Sequence, residues 1–333
     1  MLINTINGLK EVLGGVQNEM YWRTWKPFVR QAEISYIIPT IGEELYAQID
    51  ALIDASTDFV TGSNVQKSLI ERLRYVLGHY VTMESQLSML LLQGDGGTVV
   101  ASPPNMQAPG KWMVTARIAE ARDKADREME AVLQFLEKNK SSFATWTASD
   151  AYTISAKLFL SSATQFTDYF PAVRNSRRMY LALRSYIEKS EREYVETLIG
   201  NALFNDLKTK IANGDVLAPH EKSVVTMLRT IVANDAFRRA VPYLNLNSDF
   251  RLVSEADGIE TKDALMGDRL TAIKADTEKE VQNESKKLKN YLDENASSSV
   301  FAPYFQSDLY VPKTKKVSRL RVTNEDPTMP FVL

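Results

Sequence analysis

The sequence predicts a mainly α fold: a duplicated helical bundle with short β-like loop elements and an extended C-terminal tail. Three observations predict it. Residues 28–49, FVRQAEISYIIPTIGEELYAQI, are written a second time at 186–207, YIEKSEREYVETLIGNALFNDL. At one offset of 158, Glu33, Tyr36, Ile41, Gly42 and Leu45 fall on Glu191, Tyr194, Ile199, Gly200 and Leu203. The match then recurs in order at nearly constant offset. Lys67-Ser68 and Leu73-Arg74 fall on Lys222-Ser223 and Leu228-Arg229, Phe143-Ala144 on Phe301-Ala302, and Ser149-Asp150 with Tyr152 on Ser307-Asp308 with Tyr310. Finally, apolar residues in both copies step by three or four, the spacing of a helix with one buried face. Shared Gly and Ser-Asp positions lie outside that periodicity, so a copied unit explains the match better than two unrelated helices do.

The chain accordingly divides into an N-terminal helix and lead-in (1–27), helical repeat 1 (28–153), connecting helices (154–185), helical repeat 2 (186–310) and an extended tail (311–333). Residues 3–14 read as a short helix that Gly14-Gly15 stops. Trp22, Trp25, Phe28 and Val29 open the first repeat helix. Pro39 has no N–H and clashes with the turn before it, which places a helix end near Ile38. Thr40-Ile41-Gly42-Glu43 has capping-box spacing, with Thr40 as the cap of a second helix to Ile53. The second copy lacks the proline, so its helix runs on through Gly200 or bends there.

Ser63 with Gln66 caps a helix over 65–92, and Pro219 opens its counterpart over 219–241. The Gly- and Pro-rich stretch 93–111 and its partner 245–261 each hold a strand-like piece, at 98–100 and 250–253. Residues 112–139 and 265–295 read as long charged helices with narrow apolar seams. The first seam is Val114, Ile118, Ala121, Ala125, Met129, Val132 and Leu136; the second is Leu270, Ile273, Val281, Leu288 and Leu292. Between the copies, Ser149 caps a helix that ends at Phe170, before Pro171, and another begins near Asn175.

At 333 residues the chain exceeds what one hydrophobic core usually supports. A formal charge of −2 predicts no global attraction to nucleic acid or anionic membrane. With no cysteine, disulfides, thiolate metal sites and Cys nucleophiles are excluded. The opening MLINTINGLKEVLGG does not read as a signal peptide, and no segment approaches the roughly 20 apolar residues that span a bilayer. A soluble protein without a membrane partner is expected.

Little in the residues points to catalysis. His79 and His220 have no second ligand at metal-binding spacing and read as structural or surface histidines. Gly94-Asp95-Gly96-Gly97 lacks the signatures of phosphate and dinucleotide loops and reads as a turn. Glu120, Asp123, Asp126, Glu128 and Glu130 are interleaved with Lys124 and Arg127, the pattern of a solvated ion-pair face. Trp22, Trp25, Tyr36, Tyr46, Trp112 and Trp146 are mostly helix-spaced and read as core. No catalytic residue, cofactor-binding residue or metal ligand emerges, so a non-enzyme is expected. Lys313, Lys315, Lys316, Arg319 and Arg321 form a basic cluster without an aromatic to stack on bases, which favours protein contact over nucleic acid. Narrow seams suit long helices that meet their copies, and a head-to-tail contact of that sort closes into a ring.

Residues 28–49, WTASDAY with QFTDYF, and SRRMYLALRSYIEKSEREYVETLIG resemble a family of uncharacterised proteins encoded by Bacteroidetes phages and prophages. That family in turn resembles the head–tail connector (adaptor) proteins of tailed phages. The resemblance implies a helical subunit in the virion neck, found in the host cytoplasm during assembly. It implies a homo-oligomeric ring, typically of about twelve copies, beneath the portal. It also implies portal and tail proteins as partners, DNA passing through the channel without sequence-specific binding, and no cofactor. A terminal segment reaches the portal or a neighbour in such proteins, and 311–333 is the matching stretch. Short connectors have a single helical unit, so the duplicated body departs from the pattern and leaves copy number open. The rival reading is a monomeric helical adaptor or regulatory protein of the bacterial cytoplasm without catalytic activity.

Overall fold

The computed structural model describes residues 1–14, 19–94, 97–100, 109–244, 246 and 267–312. α1 (Ile6–Leu13) is capped by Thr5, whose hydroxyl accepts from the Gly8 N–H, and stops at Gly14. α2 (Trp22–Ala32) widens into a π turn (Glu33–Ile37) and continues as α3 (Ile38–Ile41). Gly42, at φ 87° and ψ 149°, breaks the rod and starts α4 (Glu43–Asp50). The expected break at Pro39 is therefore corrected. Pro39 directly follows the π turn, whose wider bond from Ile38 N–H to Glu33 O leads into it, and the chain stays helical through it to Ile41. Thr40 is no cap, because its hydroxyl donates back to the Tyr36 carbonyl at 2.7 Å.

α5 (Asn64–Leu90) opens on the expected Ser63–Gln66 capping box. It ends earlier than expected, because Leu91–Gly94 forms β1, antiparallel to β2 (Gly97–Val100) with Leu91 opposite Val100. α6 (Lys111–Lys138) returns along α5, followed by α7 (Ala144–Ala148) and α8 (Asp150–Ala156). Ser149 caps α8 as expected, but the helix predicted through Phe170 is broken. A non-helical stretch precedes α9 (Ala163–Tyr169), which Ser162 caps anew. α10 (Arg177–Ser190) passes through a second π turn (Glu191–Val195) into α11 (Glu196–Ile199). Gly200, at φ 83° and ψ 147°, separates it from α12 (Asn201–Asn213). α13 (Pro219–Ala240) pairs with α14 (Asp268–Asn295), and α15 (Ala302–Phe305) closes the order. The strand-like piece expected at 250–253 lies outside the described residues.

The fold is a duplicated helical bundle, and the copies agree in detail that sequence identity does not require. Both π turns fall at the same place in the repeat, although only the first copy has the proline, so the turn is not a proline effect. At the start of each π turn a buried carboxylate takes over a distant backbone N–H. Glu33 Oε1 accepts from Leu2 N at 2.6 Å, and Glu191 Oε1 accepts from Phe159 N at 2.6 Å. An arginine takes the carbonyl of the same residue: Arg74 Nε donates to Leu2 O at 2.7 Å, and Arg229 Nε to Phe159 O at 2.9 Å. This clamp holds Leu2-Ile3 and Phe159-Leu160 fully buried. It also explains the broken helix, since Phe159 has both backbone groups taken by other elements. α1 in the first unit and α9 in the second are thus counterparts, each capped by a hydroxyl three residues past the clamp.

Two apolar cores follow the same division. One gathers residues from Leu2 to Trp146, the other residues from Leu158 to Tyr304. Ala125, Met129, Val132 and Leu136 of α6 are buried in the first core, with Leu69, Leu73, Val76 and Tyr80 of α5. Val281, Leu288 and Leu292 of α14 join Val224, Leu228 and Ile231 of α13 in the second. The seams are thus filled within the chain. Val114, Ile118, Leu270 and Ile273, at the starts of the two seams, are half-buried. Each histidine ties one long pair together: His79 Nε2 lies 3.2 Å from Glu128 Oε1, and His220 Nδ1 2.9 Å from the Tyr291 hydroxyl.

Glu33 makes the clamp sensitive to pH. Burial pushes its carboxyl up from 4.5 to about 6, opposed by the Leu2 N–H and the Met1 ammonium. Because the folded chain holds this proton more tightly than the unfolded one, the contribution is greatest below pH 4.5 and lost as pH rises through about 6. The loss is on the order of 2 kcal/mol. Urea midpoints measured from pH 4 to 7 should therefore show a step in the native chain that Glu33→Gln flattens. Equal pH profiles for the two chains would refute this assignment.

Candidate functional site: the joint between the units

Where the first unit meets the second, α6, α7 and α8 face α9, α10, the end of α12 and α13. Two carboxylates on α6 make the join. Asp126 is 4% exposed and Glu130 2% exposed. This corrects the expected solvated face for these two residues; Glu120 is exposed and paired with Lys124 and Arg117, and Asp123 and Glu128 are partly exposed beside Arg122 and His79. Glu130 Oε1 accepts from the backbone N–H and the hydroxyl of Thr164, both at 3.1 Å. Asp126 Oδ2 accepts from the Ser176 hydroxyl at 2.7 Å. Burial pushes the Asp126 carboxyl up, with Ser176 and Arg178 opposing. The two residues are one helical turn apart and lie beside the apolar stripe, directly after Ala125 and Met129. That adjacency is the sequence signal that marks them as buried.

Beside this contact lies a cavity of about 580 Å³. Leu133, Tyr152, Ile211 and Leu217 give it apolar wall, and Glu130, Trp146 and Arg177 contribute polar side chains. Trp146 is 3% and Arg177 5% exposed. Three atoms of these residues are buried without a hydrogen-bond partner: Glu130 Oε2, Trp146 Nε1 and Arg177 Nε. The Arg177 guanidinium stands 5.0 Å from the centre of the Tyr180 ring, and burial depresses its pKa. A carboxylate, a guanidinium and an indole N–H are thus held in one wall by rigid helices, an arrangement suited to binding rather than proton transfer. Neither histidine lines the cavity.

The second unit treats the matching position differently. Tyr304 stands where the repeat places Trp146, and its hydroxyl donates to Asp293 Oδ1 at 2.8 Å. Trp112, expected in the core with Trp146, is instead 68% exposed. Aromatic identity and helical spacing could not separate the two. Lys313, Lys315, Lys316, Arg319 and Arg321 lie outside the described residues. Among the described residues no group of three His, Asp or Glu side chains could hold a metal ion, and no helix is long and apolar enough to cross a membrane.

The chain matches DUF6712, described as a family of unknown function, twice: at residues 37–156 and at 195–314. The two spans are displaced by the same 158 positions that relate Gly42 to Gly200. No curated protein and no solved structure matches the chain. Together the two spans cover most of its length, so the chain belongs to the DUF6712 family and carries that family's unit in two tandem copies.

Proposed function

We propose that this chain is a structural virion protein, a head–tail connector (adaptor) subunit whose copies form a ring that docks on a phage portal and joins it to the tail. The feature that supports this reading is a set of large apolar side chains exposed near the starts of the two long charged helices, the first of which forms an arm. The first buried residue of α6 is Ala121 and that of α14 is Thr277. About ten residues of α6, roughly 15 Å, therefore precede its first buried position, whereas the matching stretch of α14 packs Leu270 and Ile273 against its core. On this arm Trp112 and Met113 stand exposed, with Leu91 at the foot of the hairpin. At the same end of α14 Tyr243 is 78% exposed. Large apolar side chains left in water at a projecting tip suit a contact surface. A second copy of the chain is the natural occupant if the copies form a head-to-tail ring. The resemblance to connector proteins supplies the rest of the reading. In it, Lys313, Lys315, Lys316, Arg319 and Arg321 dock on an acidic surface of the portal or a neighbour.

Sedimentation of the full chain with its cognate portal should give a large, defined complex. Trp112→Ser with Met113→Ser should reduce assembly about tenfold or more while leaving helicity by circular dichroism unchanged. Removing 311–333 should abolish docking. A chain that stays monomeric with the portal present would instead be the cytoplasmic regulator, and assembly indifferent to the arm variant would exclude the arm as a contact.

A further inference from the structure

We infer that the cavity at the joint binds a small organic molecule that carries a carboxylate and an N–H or O–H donor close together at one end of an apolar body. Buried polar atoms without partners each cost roughly 1–3 kcal/mol, and they are rare in native folds. Here three of them sit on side chains that line one cavity. Trp146 Nε1 and Arg177 Nε are donors, which calls for an acceptor anion. Glu130 Oε2 is an acceptor, its other oxygen already held by Thr164, which calls for a donor. Leu133, Ile211 and Leu217 supply apolar wall. At about 580 Å³ the space falls within the range of small-molecule sites.

The second unit shows that this arrangement is not simply inherited from the repeat. Tyr304, at the place of Trp146, has its hydroxyl satisfied by Asp293. Lys286, at the place of Glu130, is exposed. The unmatched set therefore belongs to the joint. α-Amino acids have the required chemistry, with carboxylate and ammonium on one carbon and a variable body.

The test titrates the full chain with the standard amino acids one at a time, by calorimetry and tryptophan fluorescence. The best binder is then compared with its deaminated and decarboxylated analogues. Saturable binding of one molecule per chain is expected, weakened about tenfold or more in either analogue. Trp146→Phe and Glu130→Gln should each weaken it to a similar degree, and Leu133→Trp should abolish it by filling the space. Without ligand, Trp146→Phe should still fold, losing only the packing of the larger ring in the first core. No saturable binding would overturn the inference, leaving a cavity filled by water. Affinity unchanged in the variants would also overturn it.

Discussion

Replacing Glu191 by alanine is expected to destabilise the second unit by roughly 3–5 kcal/mol, the range seen when one partner is stripped from a buried charge pair. Glu191 is buried, and its two oxygens hold Phe159 N at 2.6 Å and Lys208 Nζ at 2.5 Å. Burial pushes its carboxyl up, and Lys208 is the largest influence opposing that. The truncation leaves an ammonium over the Phe159 and Phe204 rings without its counter-ion, and a backbone N–H with no acceptor. Changing both residues, Glu191→Met with Lys208→Met, should recover a large part of the loss, because neither charge then has to be desolvated. Urea unfolding followed by circular dichroism measures both variants. A loss under about 1 kcal/mol for Glu191→Ala would show that the carboxylate is not what holds the segment.

The first unit offers an internal comparison. Asp50 occupies the position of Lys208, and the Met1 ammonium pairs with it. Glu33 therefore has no lysine on it. Glu33→Ala should cost less, roughly 1–3 kcal/mol, for the orphaned Leu2 N–H and the lost Tyr46 hydroxyl bond.

Gly42→Ala is expected to cost about 4 kcal/mol and Gly200→Ala about 2 kcal/mol, from similar backbone strain and different neighbours. Both glycines hold a positive φ with ψ near 150°, a region that residues with a Cβ seldom enter. A Cβ on Gly42 would lie 2.9 Å from the Ser149 Cβ, the cap of α8, which cannot move without disturbing the end of the unit. A Cβ on Gly200 would meet only the Leu309 Cδ1 at 3.3 Å, the flexible end of a side chain. Gly14→Ala, with nothing within 4 Å, isolates the conformational part. Separate cores make two unfolding transitions a reasonable expectation, and Gly42→Ala should shift the one belonging to the first unit. Equal losses at Gly42 and Gly200 would mean that the Ser149 contact contributes nothing.

The duplication was legible because Gly42 and Gly200 serve a backbone requirement that no other residue type meets as cheaply. Helix starts marked by Ser63, Ser149 and Pro219 were legible for a similar reason, since their chemistry is local. The clamp was only half visible. Glu33 and Arg74 recur as Glu191 and Arg229, but their targets are main-chain atoms, so Leu2 and Phe159 share no side-chain identity that a sequence could show. The π turns were invisible, because they answer to tertiary hydrogen bonds rather than to propensity. The joint misled in the opposite direction. Asp126 and Glu130 sit in a charge-rich helix, and charge pattern alone cannot tell a carboxylate in water from one accepting a hydroxyl at 2.7 Å. Trp112 misled likewise, since helical spacing does not reveal where a helix outruns its core.

One covalent detail of the joint has a mechanical consequence. Only Lys157 lies between the end of α8 at Ala156 and Leu158, the residue before the doubly clamped Phe159. That leaves no intervening loop, so any shift of the clamped segment of the second unit is passed straight to the last turn of α8 in the first, as along a short drive shaft.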